Sequence, residues 1–182
     1  DGNLLGRSDI YDETMMFWFK AESNGALFSA NRHEATDSTA ATGALVALEQ
    51  GNVVLHNGAQ SYTASGSFVD NAWHHFVLTV NRTYNNASLY IDGRMYKSMD
   101  AVQLEGITGA MYLGGNGFTG NIDEFVIFEQ ALPKSLVETY EDIALSGDEM
   151  GLMSYLPFEE QFLNPNGVLE QRFSGNDKRQ FI

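Results

Sequence analysis

Residues 73–98 read WHHFVLTVNRTYNNASLYIDGRMYKS, and the fold follows from how this stretch alternates. Successive side chains of a strand point to opposite faces, so positions 73–80 place His74, Phe76, Leu78 and Val80 on one side. Trp73, His75, Val77 and Thr79 fall on the other. The side carrying Phe76, Leu78 and Val80 is expected to face a core. Residues 87–91 and 94–98 flank Asp92-Gly93, a pair suited to the positive φ angles of a type I′ turn. The stretch therefore contains a β-hairpin.

Short β-rich runs continue on both sides. Residues 15–20 (MMFWFK) are apolar on both alternating faces, as in a strand buried on two sides. Residues 26–30, 44–49 and 52–56 read as shorter strands, and the polar, aperiodic stretch 31–43 (NRHEATDSTAATG) reads as a long loop. Further on, residues 111–113 and 121–128 complete the pattern, with Ile122, Glu124, Val126 and Phe128 expected opposite Asp123, Phe125 and Ile127. Glycines 114, 115, 117 and 120 punctuate the turn between them. Leu132, Leu136 and Tyr140 then recur at helical spacing after Pro133, which predicts one short helix ending near Leu145. The expected class is all-β, a two-sheet antiparallel sandwich with a single short helix.

Composition sets the outer limits. With 182 residues, 43% apolar and 19% charged, the chain can build a core and is too weakly charged for a disordered segment. Ten Lys and Arg against 24 Asp and Glu give a formal charge of −14. Such a field repels phosphate backbones and anionic lipid, so neither nucleic acid nor a membrane is an expected partner. The same acidity suits calcium, which takes oxygen ligands. Without cysteine there is no thiol nucleophile and no disulfide. No apolar run approaches the roughly 18 residues of a membrane span.

Four blocks in order carry a resemblance: Trp73-His74-His75-Phe76, Leu89-Tyr90-Ile91-Asp92-Gly93, Tyr112-Leu113-Gly114-Gly115, and Phe118-Thr119-Gly120-Asn121-Ile122-Asp123-Glu124-Phe125. The sequence resembles the laminin G-like domains of the concanavalin A-like lectin/glucanase superfamily over about residues 15–143. That resemblance implies a jelly roll of two antiparallel sheets, one concave, with variable rim loops. The usual first strand is missing or shortened, since residues 1–12 show no clear alternation. Residues 152–160 (LMSYLPFEE) look like the opening strand of such a domain. The expected organisation is thus a jelly roll over 1–145 and a tail over 146–182, either packed on the sandwich or beginning a next module.

Candidate sites follow from the chemistry. A retaining glycosidase needs two carboxyl groups about 5 to 5.5 Å apart, whereas Asp123 and Glu124, adjacent on a strand, are expected on opposite faces. The histidines at 33, 56, 74 and 75 show no metalloprotease spacing, and there is no Gly-x-Ser-x-Gly elbow. No enzyme is expected. His74 and His75 read as strand residues and Trp18 as core. The resemblance implies that Asp123, an acid beside Ile122 in the closing strand, is the candidate ligand for a structural calcium with help from main-chain carbonyls, the alternative being a carboxylate that accepts neighbouring amides. Binding through the concave face and rim is expected to use His33, Glu34 and Asp37 of the long loop, with Tyr62 beyond it. The function that the resemblance implies is that of an extracellular or cell-surface binding module for a glycan or an extracellular protein, the alternatives being a structural spacer in an adhesin or a glycoside hydrolase-like domain.

Overall fold

The computed structural model describes residues 12–30, 44–57, 60–100, 111–158, 160–163 and 169–172. In chain order the strands are β1 (Glu13–Ala21), β2 (Gly25–Ala30), β3 (Ala44–Glu49), β4 (Asn52–Asn57), β5 (Gln60–Ala64), β6 (Trp73–Asn81), β7 (Asn86–Ile91), β8 (Arg94–Met99), β9 (Met111–Leu113) and β10 (Gly120–Phe128). Helix α1 (Lys134–Asp142) follows, and then β11 (Leu152–Leu156), β12 (Glu160–Leu163) and β13 (Leu169–Arg172). Two antiparallel sheets make the sandwich, one ordered β11-β10-β1-β6-β7-β8 and the other β5-β4-β3-β2-β9. Among the described residues, strands β12 and β13 pair only with each other.

The core lies between the two large sheets. Phe17, Phe76 and Phe125 from the six-stranded sheet meet Phe28, Val46 and Leu55 from the five-stranded one. Phe17 stacks on Phe76 at 4.8 Å and Phe28 on Phe125 at 5.7 Å between centroids. The opposite face of β1 is also buried, because Met16 packs with Val77, Val126 and Phe128 beneath Leu132, Val137 and Leu145. The two-sided apolar pattern of residues 15–20 therefore has a cover on each side. Burying a side chain of this size stabilises by about 1.5–3 kcal/mol.

At the hairpin, Asp92 and Gly93 adopt φ of 50° and 68°, the positive pair that a type I′ turn requires. Gly25 answers to a different constraint. At φ 150°, a Cβ there would stand 2.1 Å from the Phe118 backbone nitrogen, so the loop before β10 can cross β2 only over a glycine.

The helical stripe differs from expectation by one residue. Leu136 is exposed and Val137 is fully buried, because the helix starts at Lys134 and Leu132 precedes it. Val137 and Tyr140, three apart, form the packed face, with Tyr140 stacked on Phe128 at 5.6 Å. β5 was not expected as a strand, since its sequence QSYTA is polar, and it is an edge. In the tail, β11 pairs with β10 through Phe125↔Leu156 and Phe128↔Leu152, so residues 152–156 are part of the six-stranded sheet.

Candidate functional site

Cross-strand partners share a face, so the pairing registers map the outer side of the five-stranded sheet. One row runs Tyr112 (β9), Ser29 (β2), register position Leu45 (β3), His56 (β4) and Ser61 (β5). The next runs Ala26, Ala47, Val54 and Thr63, and beyond it lies the pair Glu49 and Asn52. A polar bridge joins the outermost rows: His56 Nε2 lies 2.6 Å from Glu49 Oε1, and His56 Nδ1 lies 2.8 Å from Ser61 Oγ. Because Glu49 and His56 belong to rows separated by Ala47 and Val54, this bridge arches over those two small residues, both 6% exposed. Ser61, Thr63, Glu49 and Tyr112 are solvent-exposed. Ser29 is fully buried, and its hydroxyl has no hydrogen-bond partner among the described residues.

The outer side of the six-stranded sheet is occupied instead. Trp18 (7% exposed) stacks on His75 (1%) at 4.8 Å, and α1 covers the strand ends beyond them. A bulge in β10 overturns the expected alternation of Asp123 and Glu124. Met16 pairs with Val126 but Trp18 with Asp123, so Glu124 and Phe125 together oppose Phe17, and Glu124 takes φ 51°. With one residue inserted, Asp123 shares the Trp18 face and the Glu124 carboxylate reaches Tyr155 on that same face. The Tyr155 hydroxyl lies 2.9 and 2.8 Å from the two Glu124 oxygens. Buried and hydrogen-bonded in this way, Glu124 offers no open carboxylate to a glycosidic bond.

Asp123 is half-buried and accepts the Glu124 amide at 2.9 Å. Calcium takes six to eight oxygens. Among the described residues no group of three or more His, Asp or Glu is placed to hold a metal ion. Tyr62 pairs with the core residue Leu55, packs against the inner cluster, and donates its hydroxyl to Gln60. It does not join the outer row. His33, Glu34 and Asp37 lie outside the described residues. Glu49, His56 and Ser61 were not legible as a group, because their contact depends on the registers of three strands. The one available signal was a polar residue at every second position of β5.

At the sheet end stands a second cluster. His74 Nδ1 lies 2.8 Å from Asp92 Oδ2 and its Nε2 lies 3.1 Å from Asp70 Oδ1. Phe68 meets the ring edge-on at 5.2 Å and Phe19 meets it tilted at 5.5 Å. Burial disfavours the charged ring, but the hydrogen bonds and charges of Asp92 and Asp70 outweigh it and hold His74 above its ordinary pKa. The Ala72 amide lowers Asp70 most, burial opposes it by less, and the His74 hydrogen bond and charge add to the lowering. Asp92 also accepts the His75 amide at 2.8 Å, so the cluster fastens the β5–β6 loop and the β7–β8 turn to β6.

The chain belongs to the laminin G-like family of the concanavalin A-like lectin/glucanases superfamily, whose model matches residues 3–138. Among solved structures it is similar to a candidate carbohydrate-binding protein from Bacteroides ovatus, with TM-score 0.65 and 14% identity over 89% of this chain and 49% of that one. It is also similar to the binding domain of Paraclostridial Mosquitocidal Protein 1, with TM-score 0.55 and 22% identity over 75% of this chain and 37% of that one. A third is the native heptameric SAP-like pentraxin of Limulus polyphemus, with TM-score 0.53 and 15% identity over 91% and 84% of the two chains. The chain thus spans about half of the first structure and little more than a third of the second. No curated protein matches the sequence. Among the described residues no helix is long and apolar enough to cross a membrane.

Proposed function

We propose that this chain is a non-catalytic binding module of an extracellular or cell-surface protein, and that it holds a glycan on the outer face of the five-stranded sheet. The observation that carries the reading is the difference between the two sheets. One outer face is filled by Trp18, His75 and the helix, whereas the other, buried along Ala26, Ser29, Ala47 and Val54, carries the exposed groups Glu49, Ser61, Thr63 and Tyr112 around the His56 bridge. Recognition sites combine apolar surface with a few placed polar groups, and the exposed Tyr112 ring offers the amphipathic platform such sites use. The binding domains among similar structures support this choice over a hydrolase. The buried Glu124 supports it independently.

A glycan array probed with the whole chain, followed by calorimetry on any hit, tests the proposal. Binding to at least one glycan that falls five- to tenfold in Tyr112→Ala is the expected result. Failure to bind any glycan, with calcium or with a chelator, overturns it. A binding surface for an extracellular protein, or a spacer in an adhesin, would then be the better account.

A further inference from the structure

The hydrogen inventory of the bridge narrows what the sheet face can hold. A carboxylate only accepts, so His56 Nε2 must carry its hydrogen toward Glu49 Oε1. In the neutral ring Nδ1 is then the bare nitrogen, and Ser61 must donate its hydroxyl hydrogen to it. With the ring neutral, both hydrogens of the bridge are spent inside the protein. What faces solvent is the Ser61 oxygen with its lone pairs and the remaining Glu49 oxygen, all acceptors. Glu49 is a side chain about half exposed, while His56 beneath is only 14% exposed.

Two further features act in the same direction. The only other exposed polar side chain in the neighbouring row is Thr63, which can accept as well as donate. The chain as a whole carries a formal charge of −14, so an approaching anion meets repulsion from the local carboxylate and from the whole molecule.

We infer that the Glu49–His56–Ser61 bridge is a ligand-contacting acceptor row that takes a neutral, hydroxyl-rich saccharide and rejects its sulfated or sialylated counterpart. This rests on the reading of the five-stranded sheet face as the binding surface. Sugar hydroxyls supply donors to the Ser61 and Glu49 oxygens, whereas sulfate and carboxylate bring only more acceptors and a like charge. Each lost donor–acceptor pair leaves a group unsatisfied, which is how polar sites discriminate.

The test prints each neutral oligosaccharide beside its sulfated and sialylated forms and measures the whole chain against Ser61→Ala, Glu49→Gln and, as a distant control, Leu136→Ala. Neutral forms should bind at least tenfold more tightly than their acidic partners. Ser61→Ala should weaken neutral binding about fivefold, and Leu136→Ala should leave it unchanged. Glu49→Gln removes the local charge and adds an amide donor, so the preference for neutral over acidic forms should shrink at least threefold. Equal or tighter binding of acidic forms, with Ser61→Ala still deleterious, overturns this inference and leaves the sheet face as the binding surface. Neutral binding that neither Ser61→Ala nor Glu49→Gln alters overturns the assignment of the row, and if Tyr112→Ala is also without effect the proposed surface falls with it. No binding to any glycan overturns both.

Discussion

Ser29 and Tyr155 have opposite expectations under one rule about buried polar groups. Ser29 Oγ is buried without a partner among the described residues, so its desolvation is uncompensated. Ser29→Ala should leave stability unchanged or raise it by up to about 1 kcal/mol in urea unfolding. Tyr155 donates to a carboxylate that is 6% exposed, and Tyr155→Phe should cost about 1.5–3 kcal/mol, the range for a hydrogen bond to a charged group. His74 makes stability depend on pH. Its folded pKa is raised above the 6.5 of a free ring, so its contribution is complete below 6.5 and is lost as pH rises through the folded value. Asp70 works the other way. Its pKa is lowered from 3.8, so its contribution is present above 3.8 and is lost as pH falls through the folded value. Urea midpoints measured from pH 5 to 9 should fall on the alkaline side, and His74→Asn should flatten that slope. A slope unchanged in His74→Asn would assign it to another group.

At the scale of elements, a single glycine sets how β2 meets the loop before β10. Gly25→Ala would need a Cβ 2.1 Å from a backbone nitrogen, which no side-chain rotation relieves. It should cost about 2–3 kcal/mol, in the range of overpacking a closed site with backbone strain added. Gly147→Ala is the control. Its φ of 91° carries strain, but nothing lies within 4 Å, so about 1 kcal/mol is expected. Equal losses at the two positions would show that backbone conformation, not the crossing of the loop, governs Gly25. The β10 bulge belongs to this scale as well. It turns an alternating strand into one that presents Asp123 and Glu124 on the same side, which no periodicity in NIDEFVIF announces.

For the whole molecule, charge is the dominant property. A formal −14 draws cations to the surface generally, and among the described residues no group of three or more His, Asp or Glu is placed to hold a metal ion. Held by Asp123 with main-chain carbonyls, calcium should raise the melting temperature of chelator-treated protein by several degrees where magnesium does not, and Asp123→Asn should abolish most of that rise. An equal response to the two ions, unaltered in Asp123→Asn, would show that no ion is held there, since about 1 kcal/mol moves a domain of this size by roughly 2–4 °C.

The sandwich, most of its strands, the Asp92-Gly93 turn and the family were all legible in the sequence. Each depends on local alternation, turn chemistry or short blocks in order, and these act over a few residues. Strand β5 was missed because a polar edge strand has no buried face to advertise, and the helical stripe was displaced because the first residue of α1 is set by Pro133 and by docking on Phe128. The candidate site was hidden for a different reason. Glu49, His56 and Ser61 lie on three strands, and their contact exists only once β3, β4 and β5 have paired in one register. Residue types and their order therefore determined the architecture. Which polar side chains stand together on that sheet face was decided by tertiary pairing, because a shift of one residue in any of those strands would turn its side chains to the other side of the sheet.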